Sequence, residues 1–146
     1  MNLVLLNRQR RVPVDTRWLR RAAALALPRC AELSDDGRFA LSALPEIVVA
    51  IISDTAIAKI HVQFMGIEGS TDVITFEHGE IVVSADTART AAVRFRHPIE
   101  HELALYTIHG FLHLNGFDDL AAAPAARMHR VQRRVLREVL QQLPLP

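Results

Sequence analysis

Short, continuous apolar runs alternate along the chain with longer stretches in which apolar residues recur every three or four positions. Runs of four to eight aliphatic residues are typical of strands, and a run without polar alternation is typical of a strand buried on both faces. Residues 47–52 fit this description and predict a central strand. The other predicted strands cover residues 2–7, 71–77 and 80–85, and the last two form a hairpin around His78-Gly79.

Helical spacing accounts for most of the remaining chain, and capping residues mark several helix ends. Asp15 is a suitable N-cap for a first helix near 16–27, which Pro28 is expected to stop. Gly66 is expected to end the second helix. The second predicted helix covers residues 55–65, and the third begins at Ser84 or Asp86 and ends near residue 95. The last two cover residues 98–114 and 124–143. The interleaving predicts an α+β protein, a mixed sheet of about four strands with about five helices packed on it.

The predicted helix over 98–114, in the C-terminal third, carries the most informative polar residues. His109 and His113 are four residues apart, so they lie on one face, one turn above the other. That spacing allows two imidazoles to bind one metal ion. With seven histidines in the chain, such a pair also arises by chance, and satisfied core histidines are the alternative. The helix is apolar nearly all round and therefore buried, and buried imidazoles need partners, which favours a metal site.

Two aspartates follow this helix after a turn at Asn115-Gly116. The turn can fold the chain back so that Asp119 becomes a third metal ligand, leaving a coordination position open for water. Asp118 is then a weak catalytic candidate, or a turn residue that bonds its own backbone. A shift by one residue would present Asp118 to the metal instead.

Glu102 is a second weak catalytic candidate. It precedes His109 by seven residues, about two helical turns, and so lies on the same stripe as both histidines. It is able to orient an imidazole or take a proton from water, but a glutamate satisfied by the positive end of the helix dipole is the more common case. Gly110 occupies the position of the glutamate in a His-Glu-x-x-His peptidase, which argues against proteolysis.

Composition narrows the functional classes further. At 146 residues, half of them hydrophobic, the chain is expected to form a single domain over 1–146. Cys30 is the single cysteine, which fits a reducing, cytoplasmic setting, and no apolar run predicts a membrane span. The net charge of +1 does not predict a nucleic-acid partner by itself. An arginine face on the last helix is able to follow an RNA backbone, although a solvated basic face is the more common meaning; it comprises Arg127, Arg130, Arg134 and Arg137.

The histidine helix and its turn resemble the signature of the YbeY family, the bacterial endoribonucleases and rRNA maturation factors. That signature runs His-Gly-x-Leu-His-Leu-x-Gly-(Tyr/Phe)-Asp-His, and residues 109–119 match it at every position except the last. Residues 70–76 and 79–84 resemble two strand segments of the family, in the same order and at similar spacing. The resemblance covers the chain from about Ile47 to its end.

The resemblance implies a zinc-dependent, single-strand-specific endoribonuclease that acts in ribosomal RNA processing and ribosome maturation. It implies Zn²⁺ as cofactor, held by His109, His113 and Asp119, and a metal-activated water that hydrolyses the RNA. The implied partners are a ribosomal RNA precursor and the small ribosomal subunit or its proteins.

Two positions depart from the family pattern. Asp119 stands where the family has a histidine, and an aspartate oxygen ligates zinc at a similar distance. Met65 stands where the family usually has an arginine, and a methionine does not contact a phosphate. These departures motivate an alternative function, a catalytically weak or inactive ribosome-assembly binding factor of the same fold.

Overall fold

Four strands form one mixed sheet in the computed structural model, which describes residues 2–146. Three of them are parallel neighbours, and β3 pairs antiparallel with β4 as the predicted hairpin. The spatial order is β1-β2-β4-β3. The strands are β1 (Asn2–Asn7), β2 (Glu46–Ile52), β3 (Val73–Phe76) and β4 (Glu80–Ser84).

Five α-helices accompany the sheet in residues 2–146, so the predicted α+β architecture is confirmed. Ser53 and Ser84 cap the second and third helices by accepting hydrogen bonds from backbone N–H groups, and Gly66 ends the second in a left-handed conformation with φ of 67°. The helices are α1 (Thr16–Ala31), α2 (Asp54–Met65), α3 (Ala85–Phe95), α4 (Ile99–Leu114) and α5 (Ala122–Leu140), with a 3-10 turn at Ala40–Ala43.

The prediction that Pro28 stops the first helix is wrong, because α1 continues through it to Ala31. Pro28 is exposed, while the buried face of the helix continues past it through Leu27 and Cys30. The Arg29 guanidinium donates to the carbonyl of Leu25 at 2.7 Å, which satisfies one backbone acceptor in this turn. Burial of the last turn therefore outweighs the local preference of proline for a helix end.

Strand β2 is buried on both faces, as its continuous apolar run predicts. Val49 and Ile51 belong to the larger hydrophobic cluster, which also includes residues of α1, α4 and α5. Ala50 and Ile52 belong to a second cluster on the other face, together with Ile57 of α2. The sheet therefore separates a main core from a smaller one.

Helix α4 lies within the main core and contacts the other layers of the fold. Residues on most of its circumference are fully buried, among them Leu103, Phe111 and Leu112. It packs on β3 and β4 and against α1, α3 and α5. Its two histidines point to the one side that is partly open, with exposed side-chain fractions of 22% for His109 and 27% for His113. The fold thus holds both imidazoles on a rigid, deeply packed element.

None of the helices in residues 2–146 has the length and apolar character required to span a membrane.

Candidate metal centre

Three side chains that the sequence marks as potential metal ligands converge at the open side of α4. The Nε2 atoms of His109 and His113 are 3.0 Å apart. The Asp119 Oδ2 atom lies 3.5 Å from Nε2 of His109 and 3.4 Å from Nε2 of His113. The three ligand atoms form a small, nearly equilateral triangle.

This triangle has the dimensions of one face of a tetrahedral zinc site. With metal–ligand bonds of about 2.0–2.1 Å, neighbouring ligand atoms in a tetrahedron are about 3.3 Å apart. The observed separations of 3.0, 3.4 and 3.5 Å agree with that value. Three protein ligands leave the fourth position of a tetrahedron open, which is the arrangement of a catalytic site.

The outer nitrogen of each imidazole is held by an oxygen acceptor. His113 Nδ1 lies 3.0 Å from the carbonyl oxygen of Phe117, and His109 Nδ1 lies 2.7 Å from Oε1 of Gln132. An oxygen of this kind only accepts, so each Nδ1 carries the proton and each Nε2 presents a lone pair. Two lone pairs facing each other beside a carboxylate repel, and a cation between them removes the repulsion. The donor set therefore fits a metal ion.

Burial disfavours the charged form of His109. It lowers the pKa of His109, an effect that the hydrogen bond from the His109 imidazole to Gln132 partly opposes. The nearby His113 lowers that pKa further, whereas the carboxylates of Asp119 and Asp72 raise it. Because a metal binds the neutral imidazole, a lowered pKa favours the ligand form at neutral pH.

The turn after α4 brings Asp119 back to the histidines. Gly116 has a φ of 93°, and its N–H bonds the carbonyl of His113 while that of Phe117 bonds the carbonyl of Leu112. This is the Schellman arrangement of a helix end, and it needs a left-handed residue where glycine stands. Asp118 Oδ1 accepts a hydrogen bond from the N–H of Leu120 at 2.9 Å, the Asx pattern of a turn. Of the two aspartates, the structure therefore brings Asp119 to the histidines.

The triangle opens into a cleft of about 860 Å³. One wall comes from the segment before and including β3, with Asp72 and Thr75, and another comes from the turn after α4. Met65 at the end of α2 and Arg38 in the loop before the 3-10 turn also line it. A cleft of this size accommodates a segment of a polymer beside the three ligand atoms.

Comparison with known proteins agrees with this geometry. The family model described as Endoribonuclease YbeY matches residues 5–140. The chain belongs to the YbeY family. An endoribonuclease YbeY from Lactiplantibacillus plantarum is 32% identical over 114 residues, which cover 62% of this chain and 72% of that protein. One from Corynebacterium jeikeium is 32% identical over 130 residues, which cover 72% of this chain and 71% of that protein.

The fold also has a solved counterpart. The solution structure of a protein from Thermotoga maritima is similar to this chain with a TM-score of 0.65 at 24% identity. The similarity covers 96% of this chain and 90% of that protein. At this level of identity the likeness concerns the fold alone. Together with the family match, it extends the YbeY-like architecture over nearly the whole chain.

Glu102 does not point to the histidine pair of the YbeY motif. Its Oε1 lies 2.9 Å from Nε2 of His97. Burial, with Glu102 as the second cause, raises the pKa of Tyr106. Glu102 is itself buried, and the residues that line the cleft do not include it. The placement favours a structural role for this glutamate.

Gln132 is the site residue that the sequence interpretation missed. The buried residues of α5 are Met128, Gln132, Val135 and Val139, so Gln132 is the polar member of an otherwise apolar buried face. The sequence pattern indicates that Gln132 is buried, because it lies four residues after Met128 and three before Val135 on the same helix face. A buried polar residue on such a stripe needs a partner, and here the partner is His109.

The arginines of α5 lie on the surface, which is expected both for a solvated basic face and for a face that binds RNA. Arg127 makes a two-pronged contact with Asp35, at 2.7 and 2.8 Å. Arg130, Arg134 and Arg137 are exposed. An RNA-binding role for this face stays a prediction.

Proposed function

We propose that this YbeY-family chain is a zinc-dependent, single-strand-specific endoribonuclease that acts in ribosomal RNA processing and ribosome maturation. The observation that carries the proposal is the triangle of His109, His113 and Asp119, open on one side to the 860 Å³ cleft. Its dimensions and donor atoms suit zinc, and the open side leaves room for water and for a phosphodiester. The relatives are named endoribonucleases, which supports RNA as the substrate.

The metal, when bound, lowers the pKa of a coordinated water and polarises a phosphoryl oxygen. The protein's own contribution is to hold and orient. His109, His113 and Asp119 supply the ligand atoms, and the oxygens of Gln132 and Phe117 keep both Nε2 lone pairs aimed at the site. Asp119 would add one negative charge to the ligand set, so a metal held here would acidify its water less than one held by three histidines.

Asp118 is the remaining candidate for accepting a proton at this site. It lines the cleft, and its Oδ1 is engaged by the N–H of Leu120. Its other carboxylate oxygen is outside that hydrogen bond and is available as a base or as a hydrogen-bond acceptor for water. Glu102 is unsuited to this step because its carboxylate is paired with His97.

The cellular setting follows from the proposed substrate. A ribosomal RNA precursor places the protein in the cytoplasm, and the small ribosomal subunit or its proteins would present the RNA. The reducing environment suits the buried free thiol of Cys30.

Metal stoichiometry and RNA cleavage, measured side by side, test this function. Wild-type protein is expected to bind about one zinc per chain and to cleave single-stranded RNA, with cleavage abolished by a chelator and restored by zinc. Asp119→Ala should lose metal and cleavage, whereas Asp119→His should retain the metal. His129→Ala is a matched control, because His129 is exposed and pairs with Arg133. Absence of zinc from the wild type, or cleavage that is insensitive to the chelator, contradicts the proposal.

Met65 supports a second candidate function, a ribosome-assembly binding factor with weak or no cleavage. This side chain is half exposed and lines the cleft, where it offers no charge to a phosphate. The same measurements separate the two functions. Zinc binding and ribosome association without zinc-dependent cleavage would favour the binding factor.

A further inference from the structure

The charge of the cleft is unusual for a site that takes RNA. Of the charged residues among its lining, only Arg38 is positive. A phosphodiester backbone carries one negative charge per nucleotide and is repelled by carboxylates unless cations intervene. The metal ligated by Asp119 offsets part of this charge, but only at one point of the cleft. The carboxylates of the lining are Asp36, Asp72, Glu77, Asp118 and Asp119.

Arg38 is held at the cleft by a well-bonded turn. The Ser34 hydroxyl accepts a hydrogen bond from the N–H of Gly37 at 3.0 Å, and Asp36 Oδ1 accepts one from the N–H of Arg38 at 3.0 Å. These bonds fix the backbone of residues 34–38. The turn itself is tied to α5, because Asp35 accepts both hydrogen bonds from Arg127.

The same turn is also anchored to the end of the metal-binding helix. Asp36 lies directly against Gly116, so that a Cβ atom on Gly116 would overlap its carboxylate. Three residues after Arg38, the N–H of Leu41 donates to Oδ1 of the fully buried Asn115 at 3.0 Å. Arg38 is therefore positioned relative to residues 115 and 116, which are part of the YbeY signature turn.

The Arg38 guanidinium is available to a new partner. Its Nε and Nη2 atoms both lie 2.7 Å from Oδ2 of Asp36, and within residues 2–146 its Nη1 has no hydrogen-bond partner. The side chain is 80% exposed. An exposed ion pair of this kind contributes little to stability, so its exchange for a phosphate costs little. A guanidinium binds phosphate with two parallel hydrogen bonds, which makes arginine well suited to the task.

We propose that Arg38 is a substrate-binding residue that contacts a phosphate of the RNA strand lying in the metal cleft. This inference rests on the proposed endoribonuclease function and deepens it. In the free protein Asp36 holds the guanidinium at the cleft, and on RNA binding the phosphate replaces or joins Asp36 as its partner. The exposed arginines of α5 do not line the cleft and do not take this role.

Binding of a fluorescein-labelled oligouridylate, followed by anisotropy over a series of salt concentrations, tests the proposal on the full-length zinc-loaded protein. Cleavage of the same strand is measured alongside. Arg38→Ala should weaken binding about tenfold, as expected for the loss of a charge-assisted phosphate contact. It should also lower the magnitude of the slope of log affinity against log salt by about 0.7, the contribution of one phosphate contact on a single strand. Arg38→Lys should keep the slope and recover part of the affinity.

Two controls separate a phosphate contact from a structural role. Arg20→Ala removes an exposed positive charge on α1 and should leave affinity and slope unchanged. Asp36→Asn keeps a side-chain oxygen that accepts from the Arg38 N–H but removes the charge that competes for its guanidinium, so it should not weaken binding if the guanidinium acts on RNA. Weakening by Asp36→Asn as large as that by Arg38→Ala, with zinc content retained, would assign the effect to the turn and overturn the proposal.

The remaining outcomes distinguish this inference from the proposed function. If wild-type protein binds RNA without cleaving it, the nuclease function fails, and the comparison of Arg38→Ala with wild type still decides the role of Arg38. If wild type cleaves and Arg38→Ala matches it in affinity and salt slope, Arg38 has no phosphate contact although the function stands. Failure of the wild type to bind single-stranded RNA overturns both.

Discussion

Gly110 of helix α4 touches Ile81 of strand β4, so closely that a Cβ atom on Gly110 would lie 2.7 Å from Cδ1 of Ile81. Two further atoms of Ile81 would lie within 2.9 Å of that Cβ. Ile81 is fully buried on β4, an inner strand of the sheet. The glycine between the two histidines therefore permits helix α4 to lie directly on the sheet, and there is no room at this position for the glutamate of a His-Glu-x-x-His peptidase.

Gly110→Ala should destabilise the protein by about 1–3 kcal/mol, because the added methyl group overpacks the helix–sheet contact. The free energy of unfolding in urea measures this change. Ile81→Ala alone should also destabilise the protein. Adding Gly110→Ala to the Ile81→Ala variant should lower the free energy of unfolding much less than it does in the wild type, because the new methyl group then has space. Stabilisation by Gly110→Ala in the wild-type background, as helix propensity alone predicts, would show that the contact is not tight.

Gln132→Ala should weaken zinc binding by roughly 10–100-fold, because the imidazole of His109 loses the acceptor that fixes its tautomer and orientation. Competition with a chromogenic chelator measures the affinity. Gln132→Glu should keep the affinity or increase it, since a carboxylate is a stronger acceptor at the same position. Gln141→Ala, at the exposed end of α5, serves as the control and should bind zinc normally. Equal affinities for all three variants would contradict an orienting role for Gln132.

The stability of the metal-free protein should decrease as the pH falls from about 7 to about 5. Burial lowers the pKa of both His101 and His109 below the ordinary value of 6.5, so near pH 6 the unfolded chain binds more protons than the folded one. Protonation therefore favours unfolding in this range. His101 Nε2 is buried without a hydrogen-bond partner in residues 2–146, so a proton on it has no acceptor.

Urea unfolding at several pH values, in the presence of a chelator, measures this dependence. His101→Gln should reduce the slope of stability against pH, whereas His61→Gln, at a partly exposed position on α2, should not. A stability that is constant or rises on acidification would mean that these histidines are accessible to protons in the folded state.

Asn115→Ala should destabilise the protein by about 1–3 kcal/mol, because it leaves buried backbone groups without partners. The Asn115 amide donates to the carbonyls of Cys30 and Leu33 and accepts from Leu41, so one side chain joins α4 to the segment after α1. Thermal unfolding measures the change, and Asn2→Ala, an exposed asparagine, is the control. Asn115→Asp should be more damaging than Asn115→Ala, because it places a carboxylate against carbonyl oxygens.

The sequence predicted those parts of the structure in which local pattern and tertiary packing agree. The continuous run of β2 and the apolar circumference of α4 report burial directly, and Gly66 and Gly116 mark helix ends by their need for positive φ. The helix end predicted at Pro28 was wrong because packing against the core holds this turn of the helix, and local helix propensity does not include such packing.

The convergence of the two histidines with Asp119 was predictable because all three lie close together along the chain. Residues from distant segments were not predictable in this way. The acceptor of the His109 imidazole, Gln132, comes from another helix, and the pairing of Glu102 with His97 depends on the path of the chain before α4. Spacing within one helix places Glu102 on the same face as His109 and His113. At the start of that helix, however, the Glu102 carboxylate meets His97 and pairs with it instead.

The positions of the three candidate ligands along the chain have a consequence for how the proposed metal would be acquired. His109, His113 and Asp119 close a loop of about ten residues, and the entropic cost of closing so short a loop is small and hardly depends on the rest of the fold. The acceptor that orients His109, by contrast, comes from Gln132 on α5, outside this loop, and the turn with Asp36 packs against Gly116 from a segment far earlier in the chain. A nascent or partly unfolded chain would therefore be able to capture the proposed zinc ion before Gln132 and the turn with Asp36 are in place, so metal content alone would report less about the native fold than the proposed RNA cleavage would.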